Sequence, residues 1–167
     1  IMRVSDVMAS IPGMLLGMVI VAVLGPSFLN LLIAIGISNI SGFVRMARAS
    51  VLSVKGSEFV EAARAIGMSE MRIAFSQVLP NSLSPLIVTA TARIATSVLA
   101  AAGLSFIGFG VPVPLPEWGA LISDGRNYLS LAPHLTLFPG IFIMLVTFAC
   151  SLLGDGLRDA LDPKLKQ

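Results

Sequence analysis

The sequence predicts an all-α integral membrane protein, and three observations carry that prediction. Hydrophobic residues make up 56% of the 167 residues and charged residues 12%, whereas a soluble domain holds about 25% charged residues. Mean hydropathy is +0.92. The apolar residues also gather into four stretches of roughly 20, the length that crosses a hydrocarbon core as helix.

Those spans are expected at 7–24, 26–44, 82–102 and 135–153. Three contain no charged residue, and the stretch 82–102 contains only Arg93. The chain opens on "IMRVSD" with no initiator Met, basic n-region or small-residue cleavage site, so it reads as a fragment whose N-terminus is missing. Gly25-Pro26-Ser27 is a turn signal between the first two spans, which must then run antiparallel as a hairpin. The remaining spans alternate across the bilayer.

Alternation puts residues 1–6, 45–81 and 154–167 on one side. They carry Arg3, Arg45, Arg48, Lys55, Arg64, Arg72, Arg158, Lys164 and Lys166, nine of the eleven Lys and Arg residues. Basic residues favour the cytoplasmic face, so a multi-pass membrane protein with a cytoplasmic C-terminus is expected. A net charge of +2 is too small to suggest a nucleic-acid partner. Cys150 has no second cysteine with which to form a disulfide or thiolate site.

The outer connection, 103–134, mixes Gly, Pro and apolar residues with few charges. Pro112, Pro114 and Pro116 exclude continuous helix there. Residues 117–131 suit a short helix at the outer surface, with Trp118 as an interfacial anchor.

On the cytoplasmic side, "EFVEAARAIGMSEMRIAFSQVLP" (58–80) interrupts the apolar pattern. Phe59, Ala62, Ala63 and Ile66 fall on one helical face, with Glu58, Glu61 and Arg64 off it. Gly67 suits a left-handed C-terminal cap. Ser69 is placed to cap a second helix, whose apolar stripe is Met71, Ala74, Phe75 and Val78 and whose end is set by Pro80. Helices this short are marginal alone, so they must dock. Either they pack on their own spans, or they enter a groove on a cytoplasmic partner with Glu61 or Arg64 making polar contacts.

"EAARAIG" followed by "QVLP" resembles the EAA motif of ABC-transporter permeases of the importing class. "RVSDVMASIPGMLLGMVIVAVLG", "LSFIGFG…P…EWG" and "GDGLRDALDPKL" extend the resemblance over nearly the whole chain, to the C-type permease subunits of dipeptide and oligopeptide importers. That resemblance implies a helical permease bundle of six transmembrane helices, of which this chain would be the last four, forming a single permease domain over 1–167.

It also implies that the loop 55–80 carries a coupling helix seated on an ATP-binding subunit. The contact residues would be Glu58, Glu61, Ala62, Ala63, Arg64, Gly67, Met71 and Phe75. The implied partners are two ABC ATP-binding subunits, a second homologous permease subunit, an external substrate-binding protein and the lipid bilayer. ATP and Mg would sit on the ATPase, with no cofactor on this chain. Gln77 stands where the family commonly has His, and Ala101 where Glu is frequent.

Within the spans, charge suggests function. Thr89, Thr96 and Ser97 lie one turn from Arg93, so a polar face there is a candidate translocation path; the alternative is that Arg93 snorkels or bonds carbonyls for purely structural reasons. Asn30, Ser38, Asn39 and Ser41 read mainly as interhelical hydrogen-bonding groups, and Gly13, Gly17, Gly36 and Gly42 as close-packing positions. His134 has no neighbouring ligand set, so no metal site is expected. Asp155, Asp159 and Asp162 lack calcium-loop spacing and suit a short cytoplasmic helix ended by Pro163.

No G-x-x-x-x-G-K-[ST] phosphate loop occurs in the sequence. Nor does a nucleophile–base pair or paired carboxylate set suggest an enzyme. Peptide transport is the expected function, with nickel, glutathione or another small solute as alternative cargo. A more distant alternative is an ion-coupled secondary transporter, which would need membrane carboxylates; the four spans hold no Asp or Glu.

Overall fold

A computed structural model describes residues 2–161, and all its regular elements are helical. Three helices are long and apolar enough to cross a membrane, or four if one bent pair counts as a single span.

The bent pair is α1 (Met2–Ala9) and α2 (Gly13–Leu24), set at 93°. The stretch 7–24, expected as one span, is therefore not one helix. Pro12 supplies no N–H and disfavours helical backbone at Ile11, while the Ser10 hydroxyl donates to the Val7 carbonyl at 2.7 Å and closes the end of α1. Further along, α2 packs against α3 (Phe28–Lys55). Between them, Gly25 takes a φ of 87°, and the Asn30 amide donates to the carbonyls of Leu24 and Gly25 at 2.9 Å each. Asn30 is thus a turn-closing residue. Ser27 caps α3 by accepting the Asn30 N–H at 3.1 Å.

The 28 residues of α3 reach about 42 Å at 1.5 Å per residue, well beyond a hydrocarbon core of about 30 Å. Arg45 and Arg48 ride on this extension, because Ala, Ser and Arg are adequate helix formers once the chain has left the apolar zone. Gly56 and Ser57 end it, and α4 (Glu58–Ala65) follows.

After α4, α5 (Glu70–Ile73) runs through a wider π-type turn at Ala74–Val78 directly into α6 (Leu79–Phe106). Pro80 was expected to terminate a helix; instead Glu70–Phe106 forms one 37-residue helical run. The physical reason lies in the wider turn, which absorbs the missing Pro80 N–H and the crowding of its ring against the preceding carbonyls. Pro85 is likewise inside α6, where the Thr89 hydroxyl donates to the Pro85 carbonyl at 2.8 Å.

α7 (Trp118–Gly125), continued by one 3₁₀ turn at Arg126–Tyr128, packs on both α6 and α8 (His134–Leu161). Gly119 faces the backbone of Ala102, where any Cβ would collide, and Trp118 stacks on Phe142 with ring centroids 5.9 Å apart. Near the other end of α6, Gly154 of α8 lies against Ala92. α6 and α8 therefore run antiparallel, with α7 at one end and the α4–α5 elbow at the other. Asp155 and Asp159 belong to α8 itself rather than to a separate short helix. Asp162, Pro163, Lys164 and Lys166 lie outside the described residues.

Among the described residues buried apolar side chains are few, and seven of them gather into two clusters. One joins Leu31 and Ile35 to Leu104; the other lies under the elbow. Large side chains such as Val23 (78% exposed) and Leu153 (71%) point outward, which suits an apolar surround and would be an aggregation liability in water.

Candidate functional site

The elbow between α4 and α5 is built around Gly67, whose φ is 82°. Its N–H donates to the Arg64 carbonyl at 2.9 Å and the Met68 N–H to the Ala63 carbonyl at 3.1 Å. This is a Schellman termination, in which a left-handed glycine lets two orphan carbonyls of the helix end be satisfied. Across the bend, Arg64 Nε donates to Glu70 Oε1 at 2.8 Å. That hydrogen bond and the attendant charge attraction hold Glu70 below the usual carboxylate range and Arg64 above its ordinary value.

Val60, Ala63, Ile73 and Val78 form the inner face of the elbow, against Val51, Val54 and Met68. Ala63 and Val78, expected on the docking stripes, are therefore turned inward. The reason is that α4 and the π turn lean on the end of α3, whose Val51 and Val54 meet the adjoining helical face. The rest of the expected stripes stays open: Phe59 is 44% exposed, Ile66 79%, Met71 70% and Phe75 64%. Glu58, Glu61 and Ala62 are exposed beside them.

Arg93 lies midway along α6. Its Nη1 donates to Asn39 Oδ1 on α3 at 3.0 Å. The Asn39 amide nitrogen donates in turn to the Ile35 carbonyl at 3.0 Å and to Ser97 Oγ at 3.3 Å, which aims Oδ1 at the guanidinium. Phe43 lies 5.5 Å from the Arg93 Cζ by its ring centroid, and the guanidinium fills the space above Gly42, where a Cβ would collide with it. Arg93 Nε is buried without a hydrogen-bond partner among the described residues.

Thr89, Arg93 and Thr96 line a cavity of about 760 Å³ that extends toward Gly154, Asp155 and Arg158 of α8. Arg93 and Thr96 also line a second cavity, of about 820 Å³, that extends toward Gly103, Phe106 and Ile122. Ser97 lines neither; it supports Asn39. The polar face of α6 is thus divided between a cavity wall and an interhelical bond.

A family model described as "Binding-protein-dependent transport system inner membrane component" matches residues 1–167. The chain belongs to this family. Among curated relatives of this inner membrane component, it is 51% identical over 166 residues to a dipeptide transport system permease protein, DppC, of Alkalihalophilus pseudofirmus. It is 48% identical over 166 residues to a glutathione transport system permease protein, GsiD, of Salmonella paratyphi A. A GsiD of Escherichia coli O6 is 47% identical over the same length. Each match covers 99% of this chain and 55% of the relative, so the chain spans about half the length of the curated relatives it matches.

Three features of this inner membrane component escaped sequence reasoning. The Arg64–Glu70 pair was signalled only by two opposite charges six residues apart, and pairing needs the bend at Gly67 to bring them together. Gly42 read as a helix-packing glycine, yet it makes room for a side chain, Arg93. Glu117, an isolated carboxylate in a proline-rich segment, accepts from the Ser105 hydroxyl and from the Val111 N–H at 3.1 Å. It ties the end of α6 to the start of α7.

Proposed function

We propose that this chain is a membrane-spanning part of a permease subunit of an ATP-driven ABC importer, which moves di- or oligopeptides handed over by an external binding protein. One observation carries the reading: the elbow is held from within by Val60, Ala63, Ile73 and Val78, while Phe59, Ile66, Met71 and Phe75 remain open. A short helix pair fixed on one face and apolar on the other is suited to seat in a groove of a second protein.

In this reading the elbow faces the cytoplasm, as does the C-terminus, and Glu58, Glu61, Ala62, Gly67, Met71 and Phe75 form or shape the contact with an ATP-binding subunit. Two such subunits would hold ATP and Mg and perform the hydrolysis, so this chain is not itself an enzyme. Closure of the pair pulls the elbow, and the unbroken run Glu70–Phe106 carries that displacement into the membrane beside a second, homologous permease. Thr89, Arg93 and Thr96 then lie on the translocation path.

The 51% identity to a dipeptide permease supports peptide cargo. The 48% identity to a glutathione permease supports a closely related second reading, glutathione as cargo. Uptake of labelled dipeptides against labelled glutathione by the same membranes separates the two.

The proposal is tested by affinity purification from native membranes, which should recover an ATPase pair and a second permease. Glu61→Lys and Gly67→Pro should abolish uptake and its coupling to ATP hydrolysis while leaving membrane insertion intact. Proline cannot adopt the φ of 82° at Gly67 and removes the N–H bonded to Arg64. Normal uptake in both variants overturns the coupling role.

A further inference from the structure

We infer that Arg93 is a carboxylate-recognition point inside the membrane, through which the transported solute is checked as it passes between two cavities. The inference rests on the transport reading above and adds the chemistry of the cargo to it.

The guanidinium presents five N–H donors in a planar fork that matches a carboxylate. Here Nη1 is committed to Asn39, whereas Nε is buried with no partner among the described residues. No described carboxylate forms an ion pair with Arg93; the described ion pair joins Arg64 to Glu70 in the elbow. A cation at this depth is costly unless paired, and one amide oxygen and the face of Phe43 offset only part of that cost.

The arrangement is also aimed. Asn39, held by Ile35 and Ser97, fixes one edge of the guanidinium, and Gly42 leaves the clearance that any other residue would remove. Arg93 and Thr96 are the residues common to both cavities. Arg93 and Thr96 therefore stand where the cavity bounded by Gly103 and Ile122 adjoins the one bounded by Gly154. The cavity bounded by Gly154 adds Arg158 as a further cation, with Asp155 in the same wall. The solute this geometry fits is one that carries a free carboxylate, such as the C-terminal carboxylate of a peptide, as the group recognised.

The test uses the complete transport assembly reconstituted with its binding protein, comparing uptake of a dipeptide bearing a free C-terminal carboxylate with uptake of its C-terminal amide. Arg93→Gln should lower the acid-to-amide uptake ratio about tenfold, the effect of one lost charge-assisted hydrogen bond, with Arg93→Lys intermediate. Asn39→Ala, which leaves the charge but releases its aim, should lower the ratio by a smaller factor and guards against a folding defect in the Arg93 variants. An unchanged ratio in Arg93→Gln, or equal loss of both peptides at normal membrane abundance, overturns the inference while leaving the transport reading intact. If the wild-type assembly accumulates neither peptide, the dipeptide-cargo reading fails, and this inference with it.

Discussion

Glu70 shows how one residue becomes more than its type. In the sequence it is a first-turn carboxylate, favourable near a helix N-terminus; in the structure it also receives the Arg64 guanidinium across the elbow. That bond holds its pKa below the ordinary carboxylate value. The sign of the pH dependence follows. The pair's contribution is fully present above the unfolded-state pKa of about 4.3 and is lost as pH falls through the lower folded value. At neutral pH, Glu70→Gln should therefore raise amide hydrogen exchange at Met68 and Ile73 relative to wild type. Below the folded-state value, where Glu70 is protonated in the wild type, the two proteins should exchange alike. Identical exchange at neutral pH would show that the pair does not brace the bend.

At the scale of the element, the elbow separates two kinds of apolar residue that share one helical periodicity. Ile73 is 1% exposed and packs among Val60, Ala63 and Val78, whereas Phe75, two residues on, is 64% exposed. Ile73→Ala should destabilise the elbow by about 2–5 kcal/mol, the range for removing a buried aliphatic side chain. Phe75→Ala should change stability by no more than about 0.5 kcal/mol and instead weaken the stimulation of ATP hydrolysis by loaded binding protein. Thermal unfolding and ATPase assays on the same two variants give the comparison. A Phe75→Ala protein with full coupling would remove the open apolar face from the contact.

Over the whole molecule, three long helices, the bent α1–α2 pair and the α7 segment are joined by few buried contacts, so single polar ties matter. Glu117 clasps Ser105 and Val111 and sets the start of α7, which Gly119 then presses onto the backbone of Ala102. Glu117→Ala leaves a hydroxyl and a backbone N–H without their acceptor, a loss of about 1–3 kcal/mol where the groups are shielded from water. It should lower the detergent-solubilised melting temperature and loosen proteolytic protection of 107–117, while Glu117→Gln, which keeps an acceptor oxygen, should lose less. Equal stability of the Ala variant and wild type would contradict the clasp.

Local chemistry by itself determined a good deal of this. Runs of about 20 apolar residues specify transmembrane helices because backbone groups in lipid must bond within their own segment. Gly67 was legible as an elbow because only glycine takes a left-handed φ without strain. Other features depended on neighbours distant in sequence. Whether Ala63 faced a partner or the core was decided by Val51 and Val54 on α3, and Pro80 continued a helix because a wider turn precedes it. Arg93 was conspicuous as a charge, but its setting required Asn39 and Gly42, more than 50 residues earlier, to arrive on an antiparallel helix. Periodicity names the face of a helix, and only packing selects which face is covered, since burial depends on what the rest of the chain brings against it.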